Sequence, residues 1–372
     1  MKQRTYTRKL TLAILTFVAF LMARGIDLIL PDKYFYDANR VNSMVLKDGR
    51  IQAWEGSYAV TANVFRALNF ADLTTVTEWG ILIGLIGTII VALFLLDSRE
   101  LSLLDEIFWL MSVVLLNIYT LNICKDAIQF IFFVCMLIVI LVRGMPTSLK
   151  LGLLLCLLII DGLEFRSYYI LIAVFFILFY GLVVFLKPKT TASFIVMGLI
   201  VSVLFLLAIY VLLPSQYSML STARSGVNIM RENDEAAQSM MNNLIPGSSL
   251  GVLIINFPIY IVRLLFPIEM AIRGPLYILF FIYQLLLDYY LFLTLQALFA
   301  NFSVNKSTIM LVSLYIAFVV TCSFFEPDFG SWLRHEITAF PIFQALFFSK
   351  STAVVRSDNR QPAYGLTVPV HA

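Results

Sequence analysis

Charged residues are few in this chain, and several of them gather in one short segment near its end. The segment FFEPDFGSWLRHEI (324–337) holds acidic residues on both sides of the pair Arg334 and His335. An arginine next to a histidine can bind a phosphate or stabilise a leaving group that gains negative charge. A salt-bridged turn, in which Glu326 or Asp328 pairs with Arg334, explains the same pattern without any chemistry. The sequence leaves both interpretations open.

A second candidate is Asp37, in the segment KYFYDANR that follows the first long apolar run. A carboxylate near the membrane surface and among aromatic residues can remove the proton from a sugar hydroxyl as a general base. An aspartate in a loop also commonly caps a turn or a helix. Position alone does not separate these two roles.

Two further short polar segments carry charges of both signs. In KDAIQFIFF, Lys125 could contact an anionic substrate, while Asp126 is placed to cap a helix and to face the positive end of its dipole. In DGLEFRSYY, Arg166 could meet a phosphate or pair with Glu164. Both segments are short enough to be tight turns between apolar helices.

Arginines outside the long apolar runs are a feature of the whole chain. The planar guanidinium matches phosphate oxygens, so an arginine near a membrane can hold a lipid-linked phosphate or diphosphate. For any single arginine, anchoring to headgroups or pairing with a nearby acid is a sufficient explanation. As a set they favour an anionic substrate, and the candidate phosphate-binding residues are Lys125, Arg166, Arg224, Arg231, Arg263 and Arg273.

Asp288 lies inside an apolar run and is the deepest charge of the chain. An acid within a membrane span is a functional candidate, and a proton relay there would make the protein a transporter. A structural hydrogen bond to a tyrosine, arginine or glutamine on a neighbouring helix explains it equally well. The four cysteines lie in or beside apolar runs without CxxC spacing, which is typical of small buried apolar residues.

The composition identifies the surroundings in which these residues act. Of 372 residues, 60% are hydrophobic and only 13% are charged, about half the charge of a soluble domain. The net charge of +3 gives no sign of a nucleic-acid partner. Motifs for nucleotide binding and for serine or zinc hydrolysis are absent from the sequence. The sequence therefore predicts an all-α, polytopic integral membrane protein.

About 20 apolar residues are needed for one crossing, which predicts about ten transmembrane helices. Lysines and arginines in the short loops put the N- and C-termini in the cytoplasm. The predicted transmembrane domain is 1–350 with two large outer loops near 31–76 and 214–275, and 351–372 is a short cytoplasmic tail. The predicted spans are 10–30, 77–96, 104–122, 126–142, 149–163, 168–186, 192–213, 276–300, 307–325 and 337–350.

This topology depends on the run 250–275, which is long enough to cross the membrane. Three prolines interrupt the run, and Arg263 lies at its middle, where a charge is costly. We therefore predict an interfacial or re-entrant segment. If it crossed, every later loop would change sides.

The layout of outer loops resembles two related groups of membrane enzymes. With its acid in YFYDANR, its short segments KDAIQF and FRSYY, and its FGSWLRHE before the last helix, the chain is similar to bacterial O-antigen polymerase-like proteins, which join polysaccharide repeat units. It also resembles GT-C type glycosyltransferases that use polyprenol-linked sugars. The resemblance covers most of the chain through loose motifs. An acidic pair in the first loop and a soluble C-terminal domain, found in many GT-C enzymes, are missing.

The resemblance implies a function and a set of roles. Asp37 would be the general base, and Arg334 and His335 would complete the catalytic set beside the phosphate-binding residues named above. The substrate would be a polyprenyl-linked oligosaccharide at the outer face of a bacterial inner membrane, with other polysaccharide-assembly membrane proteins as partners. No cofactor is predicted, and the need for a divalent metal stays open. A transporter or flippase for a lipid-linked glycan or small anion is the alternative, and a non-catalytic scaffold is the third.

Overall fold

The computed structural model describes residues 2–47, 56–231, 239–247, 249–300 and 305–350. In this part of the chain all regular structure is helical, and the extended contacts are two isolated bridges, Ser98 with Ser349 and Met240 with Asp328. The prediction of an all-α fold is confirmed for these residues. The predicted tail 351–372 lies outside them.

Sixteen α-helices are described. In chain order they are α1 (Lys2–Asp27), α2 (Tyr36–Val45), α3 (Ser57–Leu68), α4 (Val76–Phe94), α5 (Leu103–Tyr119), α6 (Lys125–Leu141), α7 (Thr147–Glu164), α8 (Tyr169–Gly181), α9 (Thr191–Leu212), α10 (Pro214–Arg231), α11 (Leu250–Leu265), α12 (Ile268–Ala271), α13 (Pro275–Ala300), α14 (Lys306–Phe325), α15 (Phe329–Thr338) and α16 (Phe340–Phe348). A π-helical turn, Leu182–Leu186, extends α8.

Several of these helices are long and apolar enough to cross a membrane. Among the described residues there are six such segments: Thr7–Asp27, Val76–Asp97, Tyr169–Leu186, Thr191–Leu212, Tyr277–Ala300 and Lys306–Phe325. Large apolar side chains remain exposed on them, as at Ile195, Val196 and Leu204 of α9. Such exposure is unfavourable in water and expected in lipid. The chain is a multi-pass helical membrane protein.

The starts of the long helices are fixed by short polar sequences. Thr75 and Glu78 form a capping box at the start of α4, and Ser102 and Asp105 form another at the start of α5. Each box satisfies backbone N–H groups that have no partner within the helix. These polar residues therefore mark the residue at which each apolar helix begins.

The centre of the bundle is α14, whose side chains are almost all buried. A helix that is apolar on every side fits only where other helices surround it. It packs along α8 and also contacts α6, α11 and α16. Its C-terminal end leads directly into the charged segment 326–336.

Small residues let α4 approach its neighbours closely. A Cβ atom built on Gly84 would lie 2.8 Å from Cε2 of Phe20 in α1 and 2.9 Å from Oδ1 of Asn117 in α5. Close packing through small residues is a common way for membrane helices to associate without a hydrophobic driving force. Gly84 thereby brings together the three helices α1, α4 and α5.

We expect Gly84→Ala to destabilise the protein by about 1–3 kcal/mol, because the added methyl group must displace a packed aromatic ring and an amide. The matched control is Gly152→Ala on α7, where nothing lies within 4 Å of the added Cβ. That change should leave stability unchanged or raise it by up to about 1 kcal/mol, since alanine favours helix. Thermal unfolding in detergent measures both. Equal losses in the two variants would contradict the close packing at Gly84.

The bundle has two polar ends, joined by α4. At one end, which we call the Asp97 end, the backbone N–H of Lys350 donates to the carbonyl of Asp97, and the Nζ of Lys9 donates to the carbonyl of Ser98. At the other end, the Asp37 end, the amide of Asn42 in α2 donates to the carbonyl of Thr74, just before α4. The start of the chain and the end of α16 therefore share one end.

The segment predicted as an outer loop before the last span is helical. The last predicted span began at 337, whereas α15 already begins at Phe329. Pro341 lies in the first turn of α16, so α15 and α16 form a helix interrupted at Ala339. The charges of this segment are thus held on a helix whose inner face is buried.

The described part of the first predicted loop, 31–47 and 56–76, forms a small helical layer. α2 and α3 pack on each other and on the start of α4, where the rings of Phe65 and Trp79 lie 5.3 Å apart. Ala38 and Val41 of α2 are buried in the same cluster. Because these apolar residues flank Asp37 on its helix, the packing of α2 fixes where the Asp37 carboxylate lies.

Candidate functional site

Four separate segments bring charged side chains together at the Asp37 end. α2 supplies Asp37, the start of α6 supplies Lys125 and Asp126, the turn between α7 and α8 supplies Arg166, and α15 supplies Arg334 and His335. We call these six residues, with Glu326, the charged cluster. Five of the nine predicted site residues therefore meet in one place.

Arg334 joins two carboxylates that come from different parts of the chain. Its Nη1 lies 2.9 Å from Oδ2 of Asp37, and its Nε lies 3.0 Å from Oδ2 of Asp126. The alternative of a local turn, with Arg334 paired to Glu326 or Asp328, is not what forms. Asp328 instead caps α15 by accepting from the N–H of Ser331. Arg334 therefore connects the α2 layer to the bundle.

Asp126 is the most deeply buried member of the cluster. Its side chain has no exposed surface, and its Oδ1 lies 2.5 Å from Nη2 of Arg166, which is itself buried. Arg166 also donates to the hydroxyl of Tyr168. Asp126 lies in the first turn of α6, beside the positive end of the helix dipole as predicted, but it is not the cap: the N-cap residue is Cys124, which makes no side-chain hydrogen bond. Asp126 instead holds two arginines.

Asp37 is surrounded by donors. The hydroxyl of Tyr58 donates to its Oδ1 at 2.5 Å, and Nζ of Lys125 lies 3.6 Å from its Oδ2. Burial raises the pKa of Asp37, but the nearby Arg334, Lys125 and Tyr58 outweigh it, so the pKa lies below its ordinary value of 3.8. Asp37 is therefore a stable carboxylate and a weak base in this arrangement.

The depressed pKa of Asp37 predicts how the stability of the cluster changes with pH. A carboxyl group with a lower pKa in the folded state stabilises the fold above its unfolded pKa, and this stabilisation is lost as the pH falls through the folded pKa. We expect wild type to be more stable than Asp37→Asn by a constant margin from about pH 5 to pH 9. The margin should shrink below about pH 4. Thermal unfolding of both proteins tests this, and a margin that changes near neutral pH would contradict it.

His335 and Glu326 form a pair of their own. Nδ1 of His335 lies 2.5 Å from Oε1 of Glu326, and its Nε2 lies 3.8 Å from Oδ1 of Asp126. When Nδ1 carries the proton and donates it to the carboxylate, Nε2 is left as the basic nitrogen. A histidine oriented in this way by a buried acid can accept a proton from a substrate.

The cluster is balanced in charge and partly open. Its three cations, Lys125, Arg166 and Arg334, face three carboxylates. The Arg334 side chain is 27% exposed and those of Asp37 and Lys125 are 13% and 15% exposed, whereas Asp126 is closed off. The His335 side chain is 14% exposed. An anion that enters can therefore reach Arg334, Lys125 and His335 but not Asp126, and it must compete with the Asp37 carboxylate for Arg334 and Lys125.

Of the other predicted phosphate-binding residues, Arg263 and Arg273 are not part of the cluster. Arg263 pairs with Glu269 through two contacts of 2.6 and 2.9 Å and donates to the carbonyl of Asn242. Arg273 is exposed. The side chains of Arg224 and Arg231, in α10, lie outside the described part of the chain. The role predicted for these four arginines stays a prediction.

Sequence reasoning did not assign Glu326 and Tyr58 to the site, and it gave Asp126 a local role. The available signal was the density of charge in 324–337, because a histidine and several acids in one segment cannot all be paired locally. In the described residues no group of three histidine, cysteine or acidic side chains is arranged to hold a metal ion. The four cysteines are free, and two of them, Cys124 and Cys322, are buried.

The comparisons with known proteins assign no family: no family model, no curated protein and no solved structure matches the chain. The fold therefore defines a class, the multi-pass helical membrane proteins, and the function has to be argued from the charged cluster.

Proposed function

We propose that this protein is a membrane glycosyltransferase that joins sugars or repeat units carried on a polyprenyl phosphate or diphosphate. The observation that carries the proposal is the convergence of Arg334, Lys125 and Arg166 with the His335–Glu326 pair at one end of an apolar bundle. A lipid-linked phosphate would present its charge at this depth, beside its apolar chain. An arginine fork and a lysine are the groups that bind such a charge.

The proposal includes ten crossings, with the Asp37 end at the outer face of a bacterial inner membrane. α9 and α13 are antiparallel neighbours, because the ring of Phe194 near the start of α9 lies 5.1 Å from that of Phe299 near the end of α13. The chain between them, 214–274, therefore leaves and re-enters the bundle at the same end. This supports a region 250–275 that does not cross. The basic residues Lys9 and Lys350 at the Asp97 end fit a cytoplasmic face.

In the proposed reaction the acceptor hydroxyl attacks the anomeric carbon of the donor sugar. The bond from that carbon to the phosphate oxygen breaks, and the phosphate leaves with the electron pair. Arg334 and Lys125 neutralise the charge that grows on the leaving phosphate, in a partly dehydrated site. The hydroxyl proton passes to a base of the cluster.

Two residues compete for the role of base. Asp37, which the resemblance favours, is ion-paired with Arg334 and Lys125 and holds a depressed pKa. Nδ1 of His335 is hydrogen-bonded to Glu326, which leaves Nε2 to accept a proton from the substrate. The geometry supports His335 as the base. Asp37 would then occupy the phosphate position until the substrate displaces it.

The experiment is transfer by purified protein in lipid nanodiscs, with a polyprenyl diphosphate-linked oligosaccharide and release of polyprenyl diphosphate as the readout. We expect turnover by wild type and loss of turnover in His335→Gln, with binding of the lipid diphosphate retained. In Asp37→Asn we expect tighter binding of the lipid diphosphate, because the carboxylate that competes with the diphosphate for Arg334 and Lys125 has lost its charge. Binding and turnover that are indifferent to all of these changes would overturn the proposal.

A further inference from the structure

A second polar cluster lies in the interior of the bundle, away from the charged cluster. It consists of Gln284 and Asp288 on α13, Tyr315 on α14 and Glu336 on α15, and we call it the interior acid cluster. Glu336 and Gln284 have no exposed surface, and Tyr315 is almost fully buried. Asp288 is near the middle of α13, one helical turn from Gln284. The acid that the sequence marked as deepest is therefore paired with a second acid.

One amide group joins the two carboxylates. Nε2 of Gln284 donates to Oε1 of Glu336 at 3.3 Å and to Oδ1 of Asp288 at 3.4 Å. The hydroxyl of Tyr315 donates to the same Oε1 of Glu336 at 2.7 Å. One oxygen of each carboxylate thus has a donor. The long distances from the amide show that it is shared between the two acids.

Three oxygens of the cluster have no hydrogen-bond partner: Oε2 of Glu336, Oδ2 of Asp288 and Oε1 of Gln284. Glu336 and Gln284 are fully buried, and Asp288 is half-buried with its Oδ2 covered, so all three atoms are also cut off from solvent. Within the described residues neither carboxylate lies within 4 Å of a lysine, arginine or histidine nitrogen. Buried carboxylates without a cation or a donor are costly, and the cost rises when two lie together.

The chemistry of these three oxygen atoms indicates which kind of ligand would offset the cost of their burial. All three are acceptors, so a cation that contacts several oxygens at once would satisfy them together. Carboxylate and amide oxygens are hard ligands. The described residues hold no group of three histidine, cysteine or acidic side chains of the kind that binds a divalent ion. A small monovalent metal ion suits these oxygen ligands, and together with one proton retained by the two carboxyl groups it balances their charge.

We propose that Asp288, Gln284 and Glu336 form a binding site for one Na⁺ ion inside the bundle. The site does not depend on the proposed glycosyl transfer. The proposed site shares no ligand with the charged cluster. Helix α15 carries members of both clusters, because Arg334 and Glu336 are two residues apart and point to different sides of that helix.

The test is thermal unfolding of purified protein in detergent at pH 7.5, in NaCl, KCl or choline chloride at equal ionic strength. We expect the Tm to rise with Na⁺ concentration and to saturate, by roughly 2–4 °C or more above choline chloride, as for any ligand that binds only the folded state. The rise should be absent in Glu336→Gln and in Asp288→Asn, which keep the side-chain shapes. Direct binding of radioactive ²²Na⁺ to wild type provides a second readout.

Asp161→Asn is the matched control. Asp161 is another fully buried acid, on α7, and it accepts from Nε2 of Gln129 at 2.5 Å. Because it is not part of the interior acid cluster, its variant should keep the full response to Na⁺. The control separates loss of the Na⁺ site from the general effect of neutralising a buried acid.

Three outcomes would overturn the proposal. A buried water that bridges the three oxygens would leave the Tm equal in all three salts. If the carboxyl groups bind only protons, the Tm will depend on pH and on Glu336 but not on Na⁺. The titratable groups that face Glu336 are Asp288 and Tyr283 of α13 and Tyr315 and Cys322 of α14. A Tm that responds equally to Na⁺ in Glu336→Gln would also exclude this site.

Discussion

Arg334→Ala is expected to lose both stability and activity. The change leaves Asp37 and the fully buried Asp126 without the guanidinium that lies about 3 Å from each. Removing one member of a buried ion pair typically costs about 3–5 kcal/mol, because the remaining charge is left uncompensated. In the proposed reaction the same residue faces the leaving phosphate, and the loss of one such group lowers kcat by roughly 100- to 1000-fold.

Arg334→Lys separates these two effects. A lysine keeps the positive charge but has a single nitrogen, which cannot serve Asp37 and Asp126 from two directions as Nη1 and Nε do. We expect this variant to recover most of the stability and little of the turnover. Thermal unfolding and release of polyprenyl diphosphate measure the two quantities on the same sample. If Arg334→Ala unfolds at the wild-type temperature, the bridge between α2 and α6 is not formed.

Asp126 and Arg166 are expected to show the strongest energetic coupling of any pair in the charged cluster. Asp126→Leu leaves the buried Arg166 without its carboxylate, and Arg166→Met leaves Asp126 with Arg334 and the more distant His335, so each single change is expected to cost about 3–5 kcal/mol. The double variant replaces both charges by apolar groups. It should be less destabilised than the sum of the two single variants by about 1–3 kcal/mol. A double-mutant cycle from thermal unfolding in detergent measures this difference.

The control for that cycle is an exposed ion pair. Arg8 at the start of α1 lies 2.5 Å from Glu106, but the arginine side chain is 52% exposed. Exposed pairs contribute little because water and salt screen them. Glu106→Gln should therefore leave the Tm nearly unchanged. A coupling of Asp126 to Arg166 no larger than the effect of Glu106→Gln would contradict their burial as a pair.

The long helices could be predicted because each is a continuous apolar run with a polar start. The predicted spans 192–213 and 307–325 differ from α9 and α14 by one residue at most. The last span was misjudged for a physical reason. Arg334 and Glu336 look like loop residues when only their neighbours in sequence are considered. On α15, however, Arg334 pairs with acids of α2 and α6, and Glu336 accepts hydrogen bonds from side chains of α13 and α14.

The residue types of the charged cluster could be predicted, but their partners could not. Local spacing offered Glu164 as a partner for Arg166, and Glu326 or Asp328 as a partner for Arg334. The structure pairs Arg166 with Asp126 and Arg334 with Asp37, across 40 and 297 residues of chain. Which charges meet is decided by how the apolar helices pack, and that information is spread over the whole bundle rather than held in any motif.

A short contact between two distant segments has a consequence for how the Asp37 end opens. The N–H of Met241 donates to the carbonyl of Pro327, and the N–H of Phe329 donates to the carbonyl of Ser239. These two hydrogen bonds join residues 239–241 to the turn before α15. In hydrogen exchange these two amides should therefore be protected together and released together, as one cooperative unit. The segment that follows α10 cannot lift away without exposing the start of the helix that carries Arg334.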